Sequence, residues 1–349
     1  MKNKIIKHLK HMENFHKYDH TKYKEKILNG SKLSGLIETK LSEKLSKINF
    51  LIESNKLNIP PPKLKIILVG ERLDSKLYVE NKLKKCKTIG MSGEIKVFPE
   101  EVNKEELLNE IEISNLDTSI HGIIVQLPLP DKLSSSRTEI LSKVDLEKDV
   151  DGLNPLNQGK ILQMNIYDCL IPPTAMGVLE LLRLAIDYNN DLNSYASSYL
   201  QKNIFDDKSL DLSGLDVTVL GRGLTAGLPL SILMQKCHGT VTLCHSKTVN
   251  IKSKCETADI LISAVGKSKL IDKLYVKTNS IVVDVGINVL KEEGRNNLIT
   301  GDVHFEEVIN AVKYITPVPG GVGKMTVIML LKNVLKAWSK LNKIDLNKL

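Results

Sequence analysis

The sequence predicts a two-domain α/β protein built on parallel strands. Apolar runs of about six residues alternate with helix-length segments of about ten or more, the pattern of parallel strands covered by helices on both faces. The runs form two series separated by a polar stretch, and 349 residues are enough for two ordinary domains. The runs lie at residues 65–70, 94–98, 122–127, 217–221, 240–244, 260–266 and 281–286.

Composition narrows the class of protein. No apolar run approaches the ~20 residues that a membrane span needs. Five scattered cysteines without a CxxC pair predict neither a metal site nor a disulfide framework, and they fit a reducing compartment. Residues 1–30 carry +5 of the net charge of +8, from eight lysines against three acids. We predict that this basic arm is disordered; contact with RNA or a membrane surface is the alternative. The cytoplasm is the expected compartment, with a mitochondrion or plastid as the alternative because the arm is basic.

The first strand, residues 65–70, is followed by a predicted helix over residues 75–90. Tyr78 and Lys82 are four residues apart on this helix, so their side chains share one face beside the end of the strand. An aromatic ring and a primary amine at one opening suit a flat, conjugated substrate that needs a proton moved. From the spacing alone, a surface Tyr and Lys on an amphipathic helix is the favoured interpretation, which the later segments reverse.

Two later segments add polar groups where ligands bind in such sheets. The segment QLPLP, Gln126–Pro130, follows the third strand, at the carboxyl end where open α/β sheets bind ligands. A turn-rich loop then carries Asp149 and Asp151. Two acids flanking one residue point apart, so one of them at most faces a given pocket. Asp151 before a glycine also fits a simple turn former.

The second strand series opens with a glycine-rich turn. IPPTAMG begins a helix to about residue 187, for which Thr174 is the predicted N-cap, and residues 188–209 form a predicted surface insertion. The turn GRGLTAG, Gly221–Gly227, then lies between a strand and a helix. Glycines at such a turn let backbone amides approach a phosphate, which predicts a dinucleotide site.

The end of the next strand indicates which dinucleotide binds. An NAD site usually has an acid there for the ribose hydroxyls. This chain has His245, Ser246 and Lys247 instead, with Arg222 in the glycine turn, and these groups favour the 2′-phosphate of NADP over NAD. A loop cap is the alternative role of His245 and Ser246. Residues 315–326, ITPVPGGVGKMT, then form a loop of small residues against which a ring can lie, before a last helix at about residues 326–341.

Several of these segments occur together in one known family. Over residues 34–340, apart from the insertion, the chain resembles the bifunctional methylenetetrahydrofolate dehydrogenase/cyclohydrolase family, and the shared motifs occur in the same order. The motifs that carry the resemblance are SKLYVENK (75–82), VQLPLP (125–130), KDVDG (148–152), the glycine turn, CHSKT (244–248), VDVGIN (283–288), GDV (301–303) and TPVPGGVG (316–323).

The resemblance implies specific roles. Lys82 is expected to be the general acid/base for hydrolysis of the methenyl group, Tyr78 to stack on the folate, Gln126 to bond near the lysine and Asp151 to hold the pterin; these four are the expected catalytic residues. Further substrate contacts are expected from Val125, Leu127, Pro319, Gly320, Gly321, Val322 and Gly323. NADP contacts are expected from Thr174, Gly221, Arg222, Gly223, Gly227, His245, Ser246 and Ile287.

The resemblance also implies an architecture. We expect a folate-binding catalytic domain (31–173 and 326–349) and a Rossmann-type NADP domain (174–325), joined by two long helices, in a homodimer without a metal. The chain departs from the family pattern at Gly223, where a Ser is usual, and at Lys324, where a Pro is common; Pro173 and Ala175 also differ. A cyclohydrolase with weak or no dehydrogenase activity is therefore an alternative. A non-catalytic folate- or RNA-binding protein is an alternative of another class.

Overall fold

The computed structural model describes residues 23–163, 169–201, 210–290 and 298–349. Most of the predicted arm lies outside these residues, but its end does not. Ile27 forms a bridge with Ile315, and Ile27 and Leu28 are buried, so the predicted arm ends before Ile27. Asn29 caps the first helix by accepting a hydrogen bond from the Lys32 backbone amide.

The first half of the chain folds around a three-stranded parallel sheet of order β2-β1-β3. The strands are the predicted ones, and Asn103 caps the helix after β2. The elements are α1 (Gly30–Glu53), β1 (Lys63–Val69), α2 (Leu73–Ile89), β2 (Ser92–Phe98), α3 (Lys104–Leu116), β3 (Gly122–Val125), α4 (Asp131–Ser134), α5 (Arg137–Ser142) and α6 (Pro155–Gln163).

The second half holds a five-stranded parallel sheet of order β10-β7-β6-β4-β5 and a short antiparallel pair, β8-β9. The strands β4 to β7 match the predicted series, whereas β8, β9 and β10 were not predicted. The elements are α7 (Pro173–Asp187), α8 (Leu192–Gln201), β4 (Asp216–Leu220), α9 (Gly227–Lys236), β5 (Thr240–Cys244), α10 (Ile251–Cys255), β6 (Ile260–Ser263), a 3₁₀ turn (Lys273–Tyr275), β7 (Ile281–Asp284), β8 (Asn288–Leu290), β9 (Leu298–Thr300), α11 (Phe305–Val308), β10 (Tyr314–Ile315) and α12 (Val322–Leu341).

Two long helices, α7 and α12, join the halves, as predicted. They pack against each other and share one hydrophobic core with residues of both sheets, such as Ile66 of β1 and Val219 of β4. Asn333 of α12 is buried, and its side-chain amide donates to the carbonyls of Val150 and Ile171, both at 2.9 Å. The helix therefore fixes the loop that follows β3.

Two predictions about the long helices need correction. The helix α7 begins at Pro173 with Pro172 at the N-cap, so Thr174 is not the cap. Proline fits a first helical turn, where backbone amides have no intrahelical partner. The last helix begins at Val322, four residues earlier than predicted.

The predicted surface insertion also differs from expectation. Residues Leu192–Gln201 form helix α8, and its Tyr195 is 1% exposed. The Tyr195 hydroxyl donates to the buried Glu180 carboxylate at 2.8 Å, and Arg183 donates to the same carboxylate at 2.6 Å. This part of the insertion therefore packs into the core beside α7; residues 202–209 lie outside the described residues.

Candidate functional site

A buried lysine lies at the carboxyl edge of the first sheet. Lys82 and Tyr78 are one turn apart on α2, and the Lys82 nitrogen is 5.0 Å from the centre of the Tyr78 ring. Lys82 is 3% exposed and Tyr78 is half-buried. The pair therefore does not lie on a solvated helix face, which excludes the surface interpretation of the spacing.

Gln126 orients the lysine. It follows β3 directly, and its backbone amide donates to the Ile67 carbonyl at 2.8 Å. Its side-chain Nε2 donates to the Leu127 carbonyl at 2.8 Å, which directs Oε1 toward Lys82. Lys82 Nζ donates to that oxygen at 3.0 Å. One N–H of the lysine is thereby held, and a neutral amine would keep its lone pair for a proton.

The two acids of the KDVDG loop point in different directions, as predicted. The buried Asp149 carboxylate accepts hydrogen bonds from the backbone amides of Leu153 and Asn154, at 3.2 and 2.9 Å, and from Asn157 Nδ2 at 2.9 Å. The structure shows no hydrogen bond to the Asp151 carboxylate from any described residue. Asp151 instead acts on Lys82 and Tyr78 through its charge, and its oxygens remain open to a ligand's donors.

Burial sets the electrostatics of this group. It lowers the pKa of Lys82, an effect that the negative charge of Asp151 opposes. It raises the pKa of Asp151, which the charge of Lys82 opposes. Burial, reinforced by Asp151, raises the pKa of Tyr78 to about 12. The phenol therefore stays neutral, while the lysine loses its proton more readily than it would in water.

The PGGVG segment connects this group with the second sheet. The Gly320 carbonyl accepts a hydrogen bond from the Ser31 amide at 2.9 Å, and Gly323 lies beside the side chain of Ile287, just after β7. One turn into α12, the Thr326 hydroxyl forms a hydrogen bond with the hydroxyl of Thr174, at the start of α7, at 3.2 Å. Thr326 also forms a hydrogen bond with Tyr78. The sequence analysis missed Thr326 because nothing in its local pattern separates it from any helical threonine.

The glycine turn has the geometry of a dinucleotide site. Gly221 has a φ of +101° and follows β4. A Cβ at Gly221 would overlap the Ala264 carbonyl oxygen, and a Cβ at Gly227 would overlap that of Gly221. Only glycine fits at these two positions, which lets the backbone turn directly into the start of α9. Gly223 lies in open space, so its conformation does not require glycine.

The end of β5 carries no acid. The His245 amide donates to the Thr248 hydroxyl at 2.9 Å, and His245 Nδ1 accepts from the Lys247 amide at 3.2 Å. His245 therefore caps its loop on one side of the ring, while Ser246 and Lys247 are exposed. Exposed Arg222 lies in the neighbouring turn after β4. These donors fit a phosphate on the adenosine ribose, so the residues present are compatible with NADP.

The structure shows no group of three His, Cys, Asp or Glu side chains among the described residues that could hold a metal ion. Of the helices in the described part of the chain, none has the length and apolar character of a membrane span.

The fold and these sites define the class: a two-domain α/β enzyme in which a buried lysine site and a dinucleotide turn lie at the strand ends of two joined sheets. Family models extend this conclusion. The catalytic-domain model of tetrahydrofolate dehydrogenase/cyclohydrolase matches residues 28–151, and the NAD(P)-binding-domain model of the same enzymes matches residues 199–342. The chain belongs to the tetrahydrofolate dehydrogenase/cyclohydrolase family.

Individual relatives agree with this assignment. The bifunctional protein FolD of Oceanobacillus iheyensis is 38% identical over 319 residues, which are 91% of this chain and 99% of the relative. A crystal structure of the FolD methylenetetrahydrofolate dehydrogenase/cyclohydrolase of Campylobacter jejuni is 36% identical, with a TM-score of 0.76 over 90% of this chain and 98% of that one. The FolD of Trypanosoma brucei, solved with NADP and an inhibitor, is 32% identical, with a TM-score of 0.77 over 90% and 97%.

Proposed function

We propose that this protein oxidises 5,10-methylenetetrahydrofolate with NADP and then hydrolyses the 5,10-methenyl product to 10-formyltetrahydrofolate. The observation that carries this proposal is the buried Lys82, held by Gln126 at 3.0 Å beside Tyr78 and Asp151. Family membership supports both activities, and the glycine turn supports the use of the dinucleotide.

Hydrolysis needs a base that also returns a proton. The methenyl carbon carries a positive charge, and water adds to it as the neutral amine of Lys82 accepts a proton from that water. The Lys82 ammonium then donates the proton to the ring nitrogen that leaves as the C–N bond breaks. The hydroxyl proton departs to solvent, so one proton is released overall. Burial, together with the cationic substrate, favours the neutral amine that starts this sequence.

Oxidation needs positioning more than acid/base chemistry. The bound dinucleotide supplies a nicotinamide that accepts the hydride from the methylene carbon. We assign to the Tyr78 ring the role of holding the folate by stacking, and to the open Asp151 carboxylate that of accepting hydrogen bonds from the pterin. Gly320, Gly321 and Gly323 provide a surface without bulky side chains, close to Ile287. Both reactions then use one cleft.

The remaining assignments follow the same division. Val125, Leu127, Pro319 and Val322 line the folate side in this proposal. Thr174, Gly221, Arg222, Gly223, Gly227, His245, Ser246 and Ile287 serve the dinucleotide side. Because α7 and α12 contribute to both sides, we place the domain boundaries at the starts of these helices, Pro173 and Val322.

The test is a paired assay on wild type and Lys82→Met: NADPH formation from methylenetetrahydrofolate, and separately hydrolysis of methenyltetrahydrofolate. We expect wild type to perform both, and Lys82→Met to lose hydrolysis by about 100-fold or more, the usual contribution of a general acid/base. Lys85→Met, on the same helix but half-buried and paired with Glu38, is the matched control and should hydrolyse normally. Normal hydrolysis by Lys82→Met would contradict the role of this lysine.

The same assay decides between the alternatives. The exposed Gly223, without the hydroxyl that is usual there, favours a cyclohydrolase with weak dehydrogenase activity as the second candidate. Hydrolysis by wild type without NADPH formation would support it. Wild type that catalyses neither reaction would support a non-catalytic binding protein.

We also propose that the protein is a homodimer paired through β2. This edge strand leaves Ile95 and Val97 40% and 48% exposed. Antiparallel pairing of β2 with its copy about a twofold axis would satisfy both edges at once. Sedimentation should show a dimer for wild type and a monomer for Val97→Lys, while Val249→Lys, at another exposed valine, should remain dimeric. A monomeric wild type would contradict the proposal.

We propose that the protein is cytoplasmic, since its five cysteines, all among the described residues, are buried and form no disulfide, as is usual in a reducing compartment. Microscopy of the tagged full chain would test this placement, and localisation to a mitochondrion or plastid would contradict it.

A further inference from the structure

Helix α6 has a firmly held start next to the folate-side acid. Asp149 binds the backbone amides of Leu153 and Asn154 and the side chain of Asn157, as described above. Asn157 Nδ2 also donates to the Leu146 carbonyl at 2.9 Å. The first turn of α6 is therefore fixed to the loop that carries Asp151, two residues after Asp149.

The next residue on this helix reaches the other half of the molecule. Gln158 Nε2 donates to the Leu224 carbonyl at 2.9 Å. Leu224 is the central residue of the glycine turn, so a single side chain joins the folate-side loop to the turn assigned to the dinucleotide. Helices α6 and α9, which flank this contact, also pack against each other.

The glycine turn has few other restraints. Arg222, Gly223, Leu224 and Thr225 are all exposed, and no side chain fills the space at Gly223. The Gly223 carbonyl accepts the amides of Ala226 and Leu228 within the turn itself. Among the described residues, Gln158 makes the one side-chain hydrogen bond that the structure shows to the glycine turn.

We propose that Gln158 is a positioning residue for the dinucleotide, and that it couples dinucleotide binding to occupancy of the folate side. The inference rests on the proposed function. Gln158 holds the turn in the conformation that receives the pyrophosphate, so less ordering is left for the cofactor to impose. Because the same helix is fixed to the Asp149–Asp151 loop, a folate ligand on Asp151 restrains the turn further, and the two ligands favour each other's binding.

The test measures NADP affinity by calorimetry on full-length wild type and Gln158→Ala, with and without saturating tetrahydrofolate as the probe of the folate side. We expect Gln158→Ala to weaken NADP binding about threefold to tenfold, the range for loss of one hydrogen bond. The ratio of the NADP affinity with tetrahydrofolate to the NADP affinity without it should fall toward one in this variant. Hydrolysis of methenyltetrahydrofolate without NADP should stay within about twofold, as for a substitution outside the folate site.

Two further variants separate the hydrogen bond from packing. Gln158→Glu keeps the shape but has no donor for the Leu224 carbonyl, so it should bind NADP as weakly as the alanine variant. Gln163→Ala removes an exposed glutamine from the end of the same helix and should behave as wild type.

An unchanged NADP affinity in Gln158→Ala, or a parallel loss of hydrolysis, would overturn the inference; the second result would show general damage to α6. Wild type that binds no NADP would instead overturn the proposed dinucleotide use, and this inference with it.

Discussion

Two acids, the half-buried Asp151 and the buried Asp302, show how differently the two halves of this protein use the same residue type. Asp302 is 0% exposed and accepts five hydrogen bonds: from Ser263 Oγ, the amides of Val265, Gly266 and Lys267, and Asn288 Nδ2. Asp151 accepts none from the described residues. Asp151 interacts with Lys82 and Tyr78 through its charge, and the structure shows no hydrogen bond from either of them to its carboxylate.

An acid that donors of its own chain saturate has a structural role, whereas an acid without such donors is free to bind a ligand. The donors around Asp302 belong to its own chain and hold the turn after β6, against which Gly221 packs. These bonds to Asp302 therefore fix the backbone of this turn, to which we assign part of the dinucleotide surface. The Asp151 carboxylate lacks such donors, so a ligand can provide them. In the function we propose, the folate half recognises its ligand with side chains, and the dinucleotide half mainly with backbone.

The largest expected effect comes from exchanging the two acids for amides. In Asp302→Asn the amide NH₂ faces backbone N–H donors whichever way it turns, so we expect a loss of about 3 kcal/mol in stability. Asp151→Asn removes a negative charge that burial disfavours, so the urea concentration at the unfolding midpoint should not fall. Its kcat/KM for hydrolysis should drop about tenfold to 100-fold, through loss of charge-assisted bonds to the substrate.

Urea unfolding and hydrolysis assays on both variants check this contrast. A stable Asp302→Asn, or an unstable but fully active Asp151→Asn, would show that the presence of donors does not separate the two roles.

The next effect tests the backbone surface itself. Gly221→Ala places a Cβ on a residue with φ of +101° and against the Ala264 carbonyl. We expect the KM for NADP to rise about tenfold or more, since strain at such a position costs on the order of 1–3 kcal/mol. Gly223→Ala enters open space and should leave the KM within about twofold. Equal KM values for the two variants would argue against a backbone-built site.

A smaller and more gradual effect concerns pH. Burial lowers the pKa of Lys82, so the neutral amine forms at a lower pH than for a lysine in water. Hydrolysis, as kcat/KM, should therefore rise with pH and level off below the ordinary lysine pKa of about 10.4. A pH–rate profile of the hydrolysis reaction measures this. A rise that continues through pH ~10.4 would show that Lys82 is not the base.

The weakest effect is expected when a side-chain donor is added to the glycine turn. Gly223→Ser has room for its hydroxyl, which can reach a phosphate placed at the start of α9. We expect NADP to bind about twofold to fivefold more tightly than to Gly223→Ala, as one added hydrogen bond allows. Calorimetry on the two variants isolates the hydroxyl. Equal affinities would mean that the hydroxyl does not reach the cofactor.

Much of the fold was predictable because strand and helix periods are local properties of the chain. The strand series, the cap at Asn103 and the stop at Gly90, which has a φ of +83°, follow from patterns a few residues long. The N-cap at Thr174 was predicted wrongly because two prolines before it can themselves start the helix. The packing of Tyr195 was missed because its hydrogen-bond partner, Glu180, is 15 residues away in the sequence.

The candidate site divides in the same way. The sequence by itself determined that Tyr78 and Lys82 share a helix face, that Gln126 follows a strand and that the Gly221 turn joins a strand to a helix, because each depends on a short-range period or on backbone sterics. Tertiary structure alone decided that Lys82 is buried against Gln126, that Asp151 is open while Asp149 is saturated, and that Gln158 reaches Leu224. The bonds of Lys82 to Gln126 and of Gln158 to Leu224 join residues 44 and 66 positions apart, which no local pattern encodes. Asp149 is saturated by donors within eight residues, but only the folded path of the loop brings them to its carboxylate.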